Sequence, residues 1–208
     1  HTQYRSGKMS FNLEEKIHKQ SSLNHPKYPE LGTRTILFGR ELFIDRSDFE
    51  INPPEGFFRL FPGGSVRLKY GFIVDFEDVI LDPSGAIKEV YVRYDPATRS
   101  GQDNSGRRVK GTVHWVHAEA SFTADIRLYD RLFSVSDPGS YDKPGSVVNP
   151  ESLVSTGALV EPSLNELMPN AYFQFERVGF FKQDPDSRPD HMVYNRSVTL
   201  KDTWARKK

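Results

Sequence analysis

Val66-Arg67-Leu68-Lys69-Tyr70-Gly71-Phe72-Ile73-Val74-Asp75-Phe76 decides the fold class. Apolar and aromatic side chains fall on every second position. A strand turns successive side chains to opposite faces, so Val66, Leu68, Tyr70, Phe72, Val74 and Phe76 share one face of a single strand. Asp82-Pro83-Ser84-Gly85 follows as a turn signal, and Ile87–Tyr94 reads as the returning strand. Residues 66–94 are therefore expected to form a β-hairpin.

The same pattern extends in both directions. Glu41-Leu42-Phe43-Ile44-Asp45 is a short apolar run bounded by charges. Thr112–Val116, Thr123–Tyr129, Ala171–Phe181 and Met192–Leu200 read as further strands. Pro96–Gly106 and Ser134–Ser146 read as irregular loops. Pro162-Ser163-Leu164-Asn165-Glu166 fits a brief helical turn, with Ser163 and Glu166 at capping-box spacing. Residues 1–23 are polar and poorly patterned. Ser10 could cap a short helix carrying Leu13 and Ile17 there. That segment reads as a linker, a tag remnant or the end of an upstream domain. Many short strands, Gly/Pro turns and no internal repeat predict an all-β fold built from small barrels.

Composition narrows the chemistry. Lys and Arg total 28 and Asp and Glu total 28 in 208 residues, so any basic groove must be local and offset elsewhere. The absence of cysteine excludes disulfides and thiolate chemistry. No apolar run is long enough to span a bilayer, and no signal peptide is visible. The chain is expected to be soluble and cytoplasmic. It begins at His1 rather than Met, which predicts a piece of a longer protein. His18 and His191 lack metal-ligand spacing, and Asp184, Asp186 and Asp190 lack a regular calcium pattern, so no metal site is expected.

Several blocks resemble one family in order. They are Asn24-His25-Pro26-Lys27-Tyr28-Pro29-Glu30-Leu31-Gly32-Thr33-Arg34, Glu41–Phe49 as E-L-F-I-D-R-S-D-F, and Arg108–Val116 as R-V-K-G-T-V-H-W-V. After them come Arg127–Phe133 (R-L-Y-D-R-L-F), Asn149–Leu153 (N-P-E-S-L), Phe173–Phe181 (F-Q-F-E-R-V-G-F-F) and Asn195–Trp204 (N-R-S-V-T-L-K-D-T-W). Together they resemble the C-terminal, anticodon-binding part of glutaminyl-tRNA synthetase, a class I synthetase. The resemblance implies two tandem β-barrels of the ribosomal-protein-L25-like type. Residues 24–113 with 190–208 would form the proximal barrel, and 114–189 the distal one. It implies as partners the tRNA(Gln) anticodon loop and an upstream catalytic domain of the same chain, with the protein acting as a monomer.

The family's catalytic half, where ATP and Mg bind, has no counterpart here. No H-x-G-H occurs, and no Gly-rich phosphate loop follows a predicted strand. Gly7-Lys8-Met9-Ser10 is similar to a scrap of the K-M-S-K-S loop, but no Lys-Ser follows it, and it reads as coincidence. No catalytic residue and no cofactor are expected in this fragment. It would be inactive alone, its parent being a glutamine–tRNA ligase.

Unstacked loop bases are read through hydrogen bonds to their edges and by stacking. Arg suits a guanine edge and Gln a uracil edge. By pattern alone Arg67 and Lys69 belong to a solvated outer face. The resemblance implies contact with the wobble-position side of the loop, with Lys69 meeting phosphate because it lacks the Arg fork. Arg59 matches an Arg on the third anticodon base, otherwise an ordinary strand-edge charge. Phe58 stands where the family often has a polar or basic residue; core packing and base stacking are both open to it.

The resemblance puts Gln174 on the central uracil and Arg177 on the third-position guanine. In a regular strand these two face opposite sides, so the strand must end, twist or bulge between them. Gly179 marks such a distortion. Lys27 sits where the family commonly has Asn close to the RNA, and the resemblance implies a phosphate contact there. His114 and Trp115 read as scaffold, and Arg127, Asp130 and Arg131 as an ion-pair brace. Two other readings share the pattern: a glutamyl-tRNA synthetase module of the archaeal and eukaryotic type, and a stand-alone L25-like RNA- or ribosome-binding barrel.

Overall fold

The computed structural model describes residues 6–11, 18–25, 27–166, 168 and 171–200. Among them the chain forms β1 (Ser6–Phe11), β2 (His18–Leu23), β3 (Thr33–Phe38), β4 (Glu41–Asp45), β5 (Ser65–Leu68), β6 (Ile73–Leu81), β7 (Ile87–Asp95), β8 (Thr112–Val113) and β9 (Trp115–His117). It continues through β10 (Phe122–Tyr129), β11 (Leu153–Val160), β12 (Tyr172–Phe175), β13 (Gly179–Gln183) and β14 (Val193–Thr199). Single 3-10 turns are the only helical pieces among the described residues. The all-β expectation holds.

The turn at Asp82 forms as its residues dictate. Asp82 Oδ1 accepts hydrogen bonds from Ser84 N at 2.8 Å and Ala86 N at 3.0 Å, and Gly85 takes φ 82°, where a Cβ would be strained. β6 and β7 pair antiparallel across it. The other end of the expected hairpin differs. Residues 66–76 are not one strand: the chain turns back at Lys69-Tyr70-Gly71, with Tyr70 at φ 60°. Three residues connect the arms, so positions of the same parity pair. Leu68 N donates to Phe72 O at 2.9 Å, and Val66 opposes Val74. The even positions therefore stay on one face, and the alternation runs unbroken through a turn it cannot reveal.

The seven-stranded sheet has the order β8-β5-β6-β7-β1-β4-β9. β1 lies near its middle, parallel to β7 and antiparallel to β4, with Met9 fully buried. β2 pairs with β3. Residues 6–11 and 18–23 are thus strands rather than a linker. Ser10 lies on β1, and Leu13 and Ile17 of the expected helix lie outside the described residues. The core gathers Met9, Phe38, Leu42, Phe49, Leu60, Val66 and Leu68 among others. Phe38 meets the Trp115 ring edge-on at 5.7 Å. Each large side chain so buried contributes about 1.5–3 kcal/mol.

The five-stranded sheet has the order β11-β10-β14-β13-β12. β14 runs parallel to β10, Asp125 beside Val193, and antiparallel to β13. Tyr194 is fully buried and its hydroxyl donates to Leu164 O at 2.6 Å. Arg127 bridges Asp184 at 2.9 Å and Asp186 at 3.2 Å. The brace expected at Arg127 therefore closes on the two aspartates considered and set aside for calcium.

The chain divides into two units. One holds residues 6–122 with Leu159–Ser163; the other holds Thr123–Ala158 with residues 164–200. This corrects two expected boundaries. The first unit already includes β1 and β2, and the C-terminal strand joins the second sheet instead of returning to the first. Burial of Tyr194 among Phe173, Phe175 and the backbone of Leu164 holds it there.

Candidate nucleic-acid interface

Arg59 follows a turn after Pro54 and stands beside the parallel bridge of Phe49 and Leu60. Its Nη1 donates to Thr112 O at 2.9 Å, and its Nε lies 3.2 Å from Asp48 Oδ1. Asp48 is wholly buried, while the Arg59 side chain keeps 31% of its surface. The guanidinium thus has a scaffold half and a solvent half. Its neighbour Phe58 is not in the core: the ring is 54% exposed, with Lys110 Nζ 5.5 Å from its centroid. Gly111 explains that approach. A Cβ there would stand 1.8 Å from Phe58 O, so only glycine lets the two backbones meet.

Arg67 leaves the face that alternation assigns to solvent only in part. The loop after β7 folds over it. Arg67 Nη1 donates to Thr98 O at 2.7 Å and Nη2 pairs with Asp103. Thr98 Oγ1 also accepts from Ile73 N at 2.7 Å, and Ile73, although an odd position, is fully buried. Arg107 holds the same region from the other side, bridging Asp75 at 2.6 Å and Asp95 at 2.8 Å. Burial would raise the Asp75 carboxyl, but hydrogen bonds from Arg107 and Ser65 outweigh it and lower its pKa.

Lys69 sits in the turn with Nζ 5.3 Å from the Tyr70 ring centroid, and Arg34 lies 5.5 Å from the same ring. Two cations therefore flank a half-buried tyrosine. Arg34 is fixed by Glu161, Nε to Oε2 at 2.7 Å, and His114 Nε2 lies 3.5 Å from the other oxygen. Burial would raise the Glu161 carboxyl, yet His114 and Arg34 hold its pKa down to about 2. Trp115 donates Nε1–H to Lys69 O at 2.9 Å. Trp115 is buried and His114 is held beside Glu161. Lys27 is exposed, its backbone N–H on His25 Nδ1 at 3.1 Å.

In the second unit the difficulty over Gln174 and Arg177 resolves. β12 ends at Phe175, and Glu176-Arg177-Val178 turns the chain into β13, with Val178 N donating to Phe175 O at 3.0 Å. Arg177 sits in the left-handed region at φ 62°. Both residues are exposed, Gln174 on the strand and Arg177 at the hairpin tip. Gly179 is required beyond them, since a Cβ would stand 2.4 Å from Val198 O. The structure thus groups Arg59, Arg67 and Lys69 around β5 and β8 of one unit, and Gln174 with Arg177 on one hairpin of the other. Lys110, Arg34 and Tyr70 were not singled out by sequence; only the Arg-Val-Lys-Gly spacing hinted at Lys110. Among the described residues no cluster of His, Asp and Glu could hold a metal.

Residues 8–95 match the family model described as tRNA synthetases class I (E and Q), anti-codon binding domain. Residues 112–184 match a second model of the same description. The two spans together cover more than half of the chain. The chain belongs to the class I (E and Q) tRNA synthetase anticodon-binding family. Within that family it is similar to the glutamine–tRNA ligases of Nitrobacter winogradskyi, 43% identical over 89% of this chain, and Rhodopirellula baltica, 45% over 93%. That of Pseudomonas aeruginosa is 46% identical over 88%. The chain spans about a third of the length of these relatives, 33% for the first two. Arg59, Arg67 and Lys69 fall in the first anticodon-binding match, and Gln174 and Arg177 in the second. The loop that braces Arg67 through Asp103 lies between the two matches.

Proposed function

We propose that this chain is the C-terminal anticodon-binding region of a glutamine–tRNA ligase. It reads the anticodon loop of tRNA(Gln), so that a catalytic domain elsewhere in the longer protein attaches glutamine using ATP. The observation that supports it most is the tandem match to two anticodon-binding models in a chain about 45% identical to glutamine–tRNA ligases over most of its length. The work is recognition rather than chemistry, carried out by a monomer in the cytoplasm.

In this reading Arg59 and Arg177 address the third anticodon base, Gln174 the second, and Arg67 with Lys69 the first base and its phosphates. Lys27 meets the backbone. Arg67 and Arg59 suit the work because internal partners fix their guanidinium planes before RNA arrives. A donor already held in place loses less entropy on binding. Arg177 suits it because a hairpin tip lets a long side chain reach a splayed base.

The experiment compares binding of anticodon stem–loops from tRNA(Gln) and tRNA(Glu), and aminoacylation by the longer protein with each amino acid. Preference for the glutamine RNA, and charging with glutamine, supports the proposal. Preference for the glutamate pair assigns the chain to the glutamyl branch of the same family.

A further inference from the structure

The outer face of the β12–β13 hairpin carries aromatic rings that the core does not use. Register sets the face. Tyr172 opposes Lys182 and Gln174 opposes Phe180 in the antiparallel ladder, and directly opposed residues share a side. Positions two apart also share a side, so all four stand together. The other side carries Phe173, Phe175 and Phe181, which pack on Tyr194 and each other. Phe181 is fully buried, whereas Tyr172 is 66% and Phe180 40% exposed. Val198 of β14 opposes Phe180 and is 58% exposed. Lys182 Nζ stands 5.6 Å from the Tyr172 ring centroid.

Exposed rings with a cation and an amide beside them are the elements of single-strand nucleic-acid recognition. Every base has a π-face to stack, and the cation meets the backbone. A protein-docking face would be expected to exclude the lysine, a residue depleted at such interfaces. Nothing in the core needs Tyr172 or Phe180 to be aromatic, since their rings lie on the solvent side.

We propose that this face is a stacking platform for unpaired RNA nucleotides. Tyr172, two residues along the strand from Gln174, and Phe180, directly across from it, each receive a base, and Lys182 meets the adjoining phosphate. The inference rests on the anticodon-binding reading and adds Tyr172, Phe180 and Lys182 to the recognition set. It implies that Gln174 reads a base already held by a ring.

The test uses the whole 208-residue chain and a synthetic tRNA(Gln) anticodon stem–loop with 2-aminopurine at successive loop positions. The unsubstituted chain should quench the fluorophore at one or two positions, as a ring stacks on it. Tyr172→Ala and Phe180→Leu should each weaken binding about ten-fold and abolish quenching at one position. Tyr172→Phe, which keeps the ring, should retain both. Lys182→Ala should weaken binding and flatten its salt dependence without touching the quench. Circular dichroism guards against misfolding. If the chain binds the RNA, and Tyr172→Ala and Phe180→Leu leave both affinity and quench unchanged, the platform is overturned while the anticodon-binding reading stands. If the unsubstituted chain does not bind, that reading fails and the platform with it. Loss of concentration-dependent self-association in Tyr172→Ala, with RNA binding unchanged, would make the face a protein contact and overturn the proposal.

Discussion

Arg59 Nε lies 3.2 Å from Oδ1 of Asp48, a carboxylate with no exposed surface. Removing the arginine takes an ion-pair partner away from a buried carboxylate, and losing a charged hydrogen-bond partner costs about 1–3 kcal/mol. Arg59→Ala should therefore lower stability in urea unfolding as well as weaken RNA binding. Adding Asp48→Asn should recover part of the stability and none of the affinity, a non-additive cycle. Full additivity would remove Asp48 from the account of Arg59.

Arg67 ties the loop after β7 to the sheet through Thr98, Ser100 and Asp103. Arg67→Ala should cost about 1–3 kcal/mol, the usual loss when a half-buried charged hydrogen-bond partner is deleted. It should also speed amide exchange and proteolysis within residues 98–106. Exchange unchanged there would mean that Arg107, bridging Asp75 and Asp95, holds the loop alone.

Glu161 is held at a pKa of about 2 against an ordinary 4.5. A carboxyl depressed in the folded state contributes its full stability above its unfolded pKa and loses it as pH falls through the folded one. Stability should decline from about pH 4.5 toward pH 2, by up to about 3 kcal/mol from this group. Glu161→Gln should be less stable at neutral pH and flatter in that window. Thermal unfolding across that range checks both.

Gly111→Ala places a Cβ 1.8 Å from Phe58 O. Backbone must move, so we expect a loss above about 3 kcal/mol, or no folded protein. An unchanged melting temperature would mean that the Phe58 segment moves freely. The same result would detach Phe58 from Lys110 and Arg59 as one surface.

These sites show how much the sequence discloses. The Glu41–Asp45 strand and the Asp82 turn are written in local residues, and both form with the bounds expected. The turn at Tyr70 is hidden because Leu68 and Phe72 pair with like parity; Gly71 was its one local mark. β1 is hidden for another reason. Ser6–Phe11 is polar, and it becomes a strand only because β7 and β4 lie on either side of it. Pairing of that range is a tertiary decision. The C-terminal strand was legible as a strand and misplaced, since local pattern cannot choose between two sheets. Arg59, Arg67, Lys69, Gln174 and Arg177 are proposed for RNA contact through resemblance alone. The exposed rings of Phe58 and Tyr172 were not legible, because an aromatic in an apolar run looks the same on either face.

Arg177 carries the central claim, and its backbone makes the cleanest variant possible. At φ 62° an arginine is strained and a glycine is not, so Arg177→Gly removes the side chain while keeping the backbone conformation of the turn. The decisive measurement is the binding constant of this variant and of the unsubstituted chain for two stem–loops. One carries the cognate anticodon; the other has its third base, guanine, replaced by adenine. We predict that Arg177→Gly weakens the cognate complex about ten-fold, the size of one lost base contact, and leaves the variant RNA nearly unchanged. Equal loss for both RNAs, or no loss for either, would contradict base reading by Arg177.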